Sequence, residues 1–424
     1  MLGKIQRKES RICILGMGYI GLPTSIVFAK AGFSVYGFDV NKEVINTLKS
    51  GKIHIVEPDL QDAFEETLNS GNLIPVFDIP VSDIYIICVP TPFKKNEEKK
   101  MADLSYIESA SKIVSKVIKK GDLVVLESTV PPRTTEDVMG RIIEEESSLK
   151  INEDFKVAHC PERVLPGKIL FELENNTRVI GVSDEEAGEI AKKLYASFLE
   201  EDKIFITDTI TAEMCKLVEN TSRDIQIAFA NELSVICDKL GIDVFELIKL
   251  ANKHPRVDIL NPGAGVGGHC LAVDPWFIVE KFPDEAKLIN QARLMNDYKP
   301  EWIVRKVEED LICNFNGSEK QITIGVLGLA YKPNIDDLRE SPSLKIALSL
   351  KNKGYNVIGC EPNSKVENIK GIENMDIKEI IEKSDYLVYA LNHAIFNEYL
   401  GEISKKLHFD PVGVIEINKK MELV

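Results

Sequence analysis

One thiol stands inside a run of glycines. The stretch NPGAGVGGHCLAVDPWF, residues 261–277, carries Cys270 directly behind Gly267, Gly268 and His269, with Asp274 four residues further on. It follows no strand pattern and opens no evident helix. Glycines at 265, 267 and 268 permit positive φ and close backbone approach, so such a loop can wrap a ligand and present the thiol beside it. The alternative is a buried cysteine in a flexible surface loop. No second Cys or His stands at ligand spacing from His269, Cys270 and Asp274, and this argues against a metal site. Two further groups invite chemistry. Lys216 and Asn220 are four residues apart on a helical pattern, so both can point into one crevice; the bland reading is a solvated polar stripe. Glu162, in HCPERVLPG, follows a strand of the first domain; its bland reading is an exposed loop acid.

A second constellation belongs to phosphate chemistry. In RICILGMGYIGLPTSIVFAKAGFSVYGFDV, Gly16, Gly18 and Gly21 keep the spacing G-x-G-x-x-G between an apolar strand and a helical segment. Gly16 permits a tight turn, Gly18 lets the backbone approach a pyrophosphate, and Gly21 lets the helix pack closely on the strand. Asp39 ends the second strand, where a carboxylate accepts from ribose hydroxyls. That carboxylate would repel a 2′-phosphate, so the pattern selects NAD over NADP.

The elements that position these groups are legible as short apolar runs. SDIYIICVPTP, GDLVVLESTVPP, FKVAHCPERVLPG and TRVIGVS read as further strands of a doubly wound sheet, whose C-terminal ends line a ligand crevice. The first domain is expected over residues 1–207. From residue 208 the period becomes helical, with Met214, Leu217, Val218, Ile225, Ala228, Phe229, Leu233, Ile236 and Cys237 at spacings of three and four. A central helical domain is expected over 208–317. QITIGVLGLAYKPN, GYNVIGCEP and SDYLVYALNH then repeat the opening pattern, giving a second Rossmann-like domain over 318–424. The fold class is therefore α/β, with two doubly wound domains joined by long helices. In the last domain Gly325 and Gly328 remain, but Lys332 and Pro333 stand where a helix should begin. A second dinucleotide held in the same way is not expected there.

Composition narrows the partners. The chain has 424 residues and a formal net charge of −15, which disfavours duplex nucleic acid and anionic membranes. Its 8 cysteines form no CxxC pair, and MLGKIQRKES is charged and without an apolar signal core. No apolar run approaches the ~18 residues of a membrane span. The expectation is a soluble protein of the reducing cytoplasm.

GMGYIGLP, VPTP, ESTVPP, PER, AEMCKLVENT, GGHC-x3-D and LAYKPNIDDLRESPS occur in this order across nearly the whole chain. In these motifs the sequence resembles the UDP-sugar 6-dehydrogenases, the family of UDP-glucose dehydrogenase. The cysteine loop GGHCLAVDPWF resembles the subgroup acting on UDP-N-acetyl-D-mannosamine, rather than the GGSCFPKD-like loop of UDP-glucose enzymes. The resemblance implies oxidation of C6 of the sugar to a carboxylate with reduction of two NAD. Cys270 would pass through a thiohemiacetal and a thioester. Lys216 and Asn220 would stabilise the oxyanion, Asp274 and Thr129 would orient water, and Glu162 would serve as a base.

NAD would contact Gly16, Gly18, Tyr19, Ile20, Gly21, Asp39, Lys42, Thr91, Thr129 and Arg339. The UDP-sugar would lie between the domains, at Glu162, Arg163, Leu165, Lys216 and Asn220. It would also meet Asn261, Gly263, Gly267 and His269 of the glycine loop, and Tyr331 and Lys332 beyond it. Arg256 resembles an arginine that reaches a neighbouring subunit's site, which implies a homodimer or higher homo-oligomer. UDP-N-acetylglucosamine, UDP-GalNAc and UDP-glucose are the alternative substrates. A one-step β-hydroxyacid dehydrogenase, which needs no cysteine and lacks the third domain, and an NAD-sensing protein without catalysis are the more distant readings.

Overall fold

Each short apolar run becomes a strand covered on both faces. In the computed structural model, residues 1–94, 100–165, 167–315, 317 and 321–415 are described. The chain divides into two compact units, Met1–Glu219 and Asn220–Val424. The expected last segment, 318–424, begins and ends outside the described residues.

The first unit carries β1 (Arg11–Leu15), β2 (Ser34–Phe38), β3 (Leu73–Val76), β4 (Ile84–Ile87), β5 (Leu123–Leu126), β6 (Lys156–His159), β7 (Arg178–Val182) and β8 (Ile204–Asp208). They form one sheet in the order β3-β2-β1-β4-β5-β6-β7-β8, parallel except for the β6–β7 pair. Alternation along β1 divides the apolar load, because successive side chains of a strand point to opposite faces. Ile12 and Ile14 enter a core with Phe28, Phe33 and Tyr195, whereas Cys13 and Leu15 enter one with Tyr85, Val124 and Val157. Full burial of each such side chain is worth ~1.5–3 kcal/mol. The helix after the glycine turn, Gly21–Lys30, is buried from Gly21 to Ala29.

The second unit carries β9 (Thr323–Leu327), β10 (Asn356–Cys360), β11 (Asn368–Ile369), β12 (Ile372–Asn374), β13 (Tyr386–Tyr389) and β14 (Leu407–Phe409). The sheet order is β11-β12-β10-β9-β13-β14. No helix follows β9 directly; the next begins at Pro342, in keeping with Lys332-Pro333.

The change of period at residue 208 is real. A 32-residue helix spans Thr209–Leu240, ending the first unit and opening the second. Beyond it, a 29-residue helix spans Lys287–Phe315 and contains Pro300. A buried polar seam joins the two: Arg293 meets Asp224 at 2.6 Å, and Asn296 bonds both Asp224 and Asn231. The glycine stretch departs from expectation at its end. A helix, Asp274–Lys281, starts on Asp274 with Pro275 in its first turn, a position proline favours because its missing N–H is unused there. Among the described residues, no helix is long and apolar enough to cross a membrane.

Candidate active site

At the C-terminal end of the first sheet, the three glycines do what their spacing predicts. Gly16 has φ +96, and a Cβ there would lie 2.5 Å from the Cys88 carbonyl oxygen. A Cβ on Gly21 would lie 1.8 Å from the Gly16 carbonyl oxygen, so helix and turn could not close with any side chain between them. A Cβ on Gly18 would meet nothing within 4 Å, leaving a face where backbone amides can receive a pyrophosphate. Asp39 directly follows β2 and accepts from the Met17 amide at 2.9 Å and the Asn41 amide at 2.8 Å. Lys42 begins the next helix, which Asn41 caps. Tyr19 is exposed and Ile20 partly so. The turns after β4 and β5 are tied together: Thr91 Oγ1 donates to the Thr129 carbonyl at 2.7 Å, and Ser128 Oγ to the Val89 carbonyl at 2.6 Å. This cradle fits NAD.

Glu162 is not an exposed loop acid. It is buried, meets the Arg178 guanidinium at 3.1 Å and accepts from the Arg163 amide at 2.5 Å. Nearby, Glu127 accepts from Tyr195 Oη at 2.8 Å, Thr24 Oγ1 at 3.2 Å and Cys88 Sγ at 3.3 Å. Burial pushes the Glu127 carboxyl up, opposed by Arg178. Arg178, missed at the level of sequence, thus serves two acids. Its one signal was a charged residue opening an otherwise apolar strand. Arg163 pairs with Glu219 at 2.7 Å, and Leu165 is exposed. Lys216, half-buried, stands one turn before Asn220 on helix Thr209–Leu240.

In the second unit the loop around Cys270 is built by close contacts. Cys270 is half-buried, and its carbonyl accepts from the amides of Val273 (2.9 Å) and Asp274 (2.8 Å). Asp274, 3 % exposed, accepts from Asn220 Nδ2 at 2.6 Å. Two expected site residues are thereby joined, and the side chain of one sets the orientation of the other. The glycines are required by packing. A Cβ on Gly267 would lie 2.6 Å from the Glu340 carbonyl oxygen, and one on Gly268 2.7 Å from the Tyr331 ring. The Gly268 amide donates to the Arg339 carbonyl at 3.0 Å. Arg339 itself forks onto Asp337, and against the opposing push of burial these bonds hold the Asp337 carboxyl below its ordinary range.

Gly263 donates to Asn231 Oδ1 at 3.0 Å, which anchors the loop on the polar seam. Gly265, with φ +136, lies against the Asn296 carbonyl and Pro300. Pro300 has no N–H, and Asn296 is the residue four before it, so this carbonyl lacks its helical donor and the loop approaches where the helix is interrupted. His269, Asn261, Arg256 and Lys332 are exposed, and Tyr331 is partly buried.

Comparison with known proteins agrees with this architecture. The UDP-glucose/GDP-mannose dehydrogenase family matches in three parts: its NAD-binding domain over residues 10–199, its central domain over 210–298 and its UDP-binding domain over 325–417. A UDP-N-acetyl-D-mannosamine dehydrogenase of Campylobacter jejuni is 46 % identical over 92 % of this chain and 97 % of its own. An NDP-N-acetyl-D-galactosaminuronic acid dehydrogenase of Ralstonia solanacearum is 43 % identical over 91 % of this chain and 92 % of its own. The solved UDP-D-ManNAc dehydrogenase of Pyrococcus horikoshii superposes with a TM-score of 0.86 at 40 % identity, covering 96 % of each chain. The chain belongs to the UDP-glucose/GDP-mannose dehydrogenase family. It is an NAD-dependent oxidoreductase that oxidises a UDP-sugar.

Proposed function

We propose that the substrate is UDP-N-acetyl-D-mannosamine and that its C6 alcohol is carried through four electrons to the uronate, with two NAD reduced. The observation that carries this reading is the half-buried Cys270 beside Asp274, itself held by Asn220 at 2.6 Å. An aldehyde, the product of the first oxidation, offers no suitable tetrahedral carbinol for a second hydride to leave. Addition of the Cys270 thiolate supplies one, as a thiohemiacetal. NAD, when bound, accepts the hydride at each oxidation. The second oxidation leaves a thioester on Sγ, and water then releases the carboxylate and restores the thiol.

Asp274 orients that water with help from Thr129. Lys216 and Asn220 supply donors to the oxyanion, a contribution worth ~10²–10³ in rate per donor. Glu162, paired with Arg178 at 3.1 Å, assists the hydrolytic step. The segments 1–207, 208–317 and 318–424 serve as nucleotide-binding, central and UDP-binding parts of a cytoplasmic enzyme.

The mannosamine subtype rests on Ala272–Phe277, largely buried around the start of helix Asp274–Lys281, and on the Campylobacter and Pyrococcus relatives. Initial rates with UDP-N-acetyl-D-mannosamine, UDP-N-acetylglucosamine, UDP-GalNAc and UDP-glucose test it, UDP-GalNAc being the rival that the Ralstonia relative favours. The expected result is preference for the mannosamine sugar with two NADH formed per sugar consumed. Preference for another sugar would remove the subtype. One NADH per sugar, or unimpaired uronate formation by Cys270→Ser, would remove the thioester.

A further inference from the structure

The second sheet repeats the plan of the first with one substitution of purpose. Gly328 follows β9 as Gly16 follows β1, with φ +80 and +96. Gly359 in β10 makes room for Leu329 as Gly37 in β2 makes room for Met17: a Cβ would come within 2.7 Å and 2.5 Å of those side chains. Glu361 therefore falls where Asp39 falls, at the end of the second strand of its sheet. His393, behind β13, falls where Thr91 falls behind β4.

In the second sheet these two positions are bonded to each other. Glu361 is 1 % exposed and His393 0 %, and His393 Nε2 lies 3.1 Å from Glu361 Oε2. The same oxygen accepts from the Leu329 amide at 2.9 Å and the Ala330 amide at 2.8 Å. On its other side, His393 Nδ1 accepts from the Asn334 amide at 2.9 Å. A backbone N–H can only donate, so Nδ1 is the acceptor and Nε2 carries the proton given to Glu361. Asn334 Oδ1 then accepts from the Ala394 amide at 2.9 Å, and Asn334 is held at φ +61. The segment 329–334 is thus fastened at both ends to one buried acid–imidazole pair. Between the fastenings stand Tyr331 and Lys332, and Tyr331 is the side chain on which Gly267 and Gly268 pack.

We propose that Glu361 and His393 are positioning residues for the UDP-sugar reaction: the pair fills the place a second ribose would take and uses it to hold Tyr331 and Lys332 in register with the cysteine loop. This rests on the reading that the cysteine loop is the reacting site. Misplacement of such a segment by about 1 Å costs up to ~10² in rate.

The test uses the full-length enzyme carrying His393→Ala. Calorimetric titration with UDP and with NAD, and steady-state kinetics with UDP-N-acetyl-D-mannosamine, separate the two nucleotides. The expected result is at least a roughly tenfold weaker Kd for UDP and a matching rise in KM for the sugar nucleotide, as the loss of aligned contacts implies. NAD affinity should stay within about twofold, and His393→Gln, whose amide reproduces the Nε2 donor, should recover most of the loss. Unchanged UDP affinity and KM would overturn the proposal. So would a parallel loss of NAD affinity, or no recovery in His393→Gln. If His393→Ala does not fold, Glu361→Gln is judged by the same readouts. UDP binding is read whatever the fate of Cys270→Ser, so failure of the thioester chemistry and failure of this pairing are distinguishable.

Discussion

A single buried residue in this chain binds its proton far more weakly than it would in water. His159, at the end of β6, is wholly buried. Burial drives its imidazole down to about 3, against the weaker pull of the Leu126 backbone. The folded value lies below the ordinary 6.5, so the unfolded chain binds the proton more tightly. This residue's contribution is complete above about pH 6.5 and is lost as pH falls toward 3. Melting temperature should drop through that window, and His159→Phe should flatten the drop; an unchanged slope in the variant would refute the assignment.

The residues legible in the sequence were those whose partners are local or whose spacing encodes the contact. Gly16, Gly18, Gly21 and Asp39 belong to one strand–turn–helix–strand unit and could be read directly. Glu162 was picked out, but its partner Arg178 comes from the next strand, 16 positions away, and no local pattern signals an antiparallel neighbour in a parallel sheet. Glu361 and His393 were passed over for the same reason, being 32 positions apart.

At the scale of elements, the glycine loop is as well placed as the two long helices that hold it. Asn231 is buried; its amide donates to Asn296 and its oxygen accepts from Gly263. Asn231→Ala leaves the buried Asn296 side-chain oxygen without that partner, at a cost of ~1–3 kcal/mol, and frees the half-buried Gly263 amide. Urea unfolding should register the loss, and turnover should fall more than NAD affinity, because the loop and not the nucleotide cradle is released. Equal stability in the variant would show that the seam does not carry the loop. The long helices were visible as a change of period, but that change did not mark where the second one, Lys287–Phe315, begins and ends. The short helix at Asp274 went unread because glycines dominate its approach, although Pro275 marked its first turn. β3 and β8 were missed too; they lie at the two edges of the sheet, where shorter or half-exposed runs suffice.

For the molecule as a whole, an apolar stripe is left without cover in the single chain. Phe229, Ile236 and Leu240 of helix Thr209–Leu240 are 47–66 % exposed, and a helix face of this kind suits a self-complementary partner. We propose a homodimer through this helix, with the exposed Arg256 completing the neighbour's site. Sedimentation velocity should find a dimer at assay concentrations, and Phe229→Glu should yield monomers of low activity. A fully active monomer would sink the idea.

One irregularity reaches further than its size suggests. Pro300 interrupts the ladder of a long helix, and Gly265 rests on the carbonyl thereby left over. The make-up of the thiol-bearing segment is therefore written partly in a helix some thirty positions downstream. Anyone transplanting that segment to another scaffold would have to carry the proline along, and any lineage that straightened the helix would have to rewrite the loop in the same step.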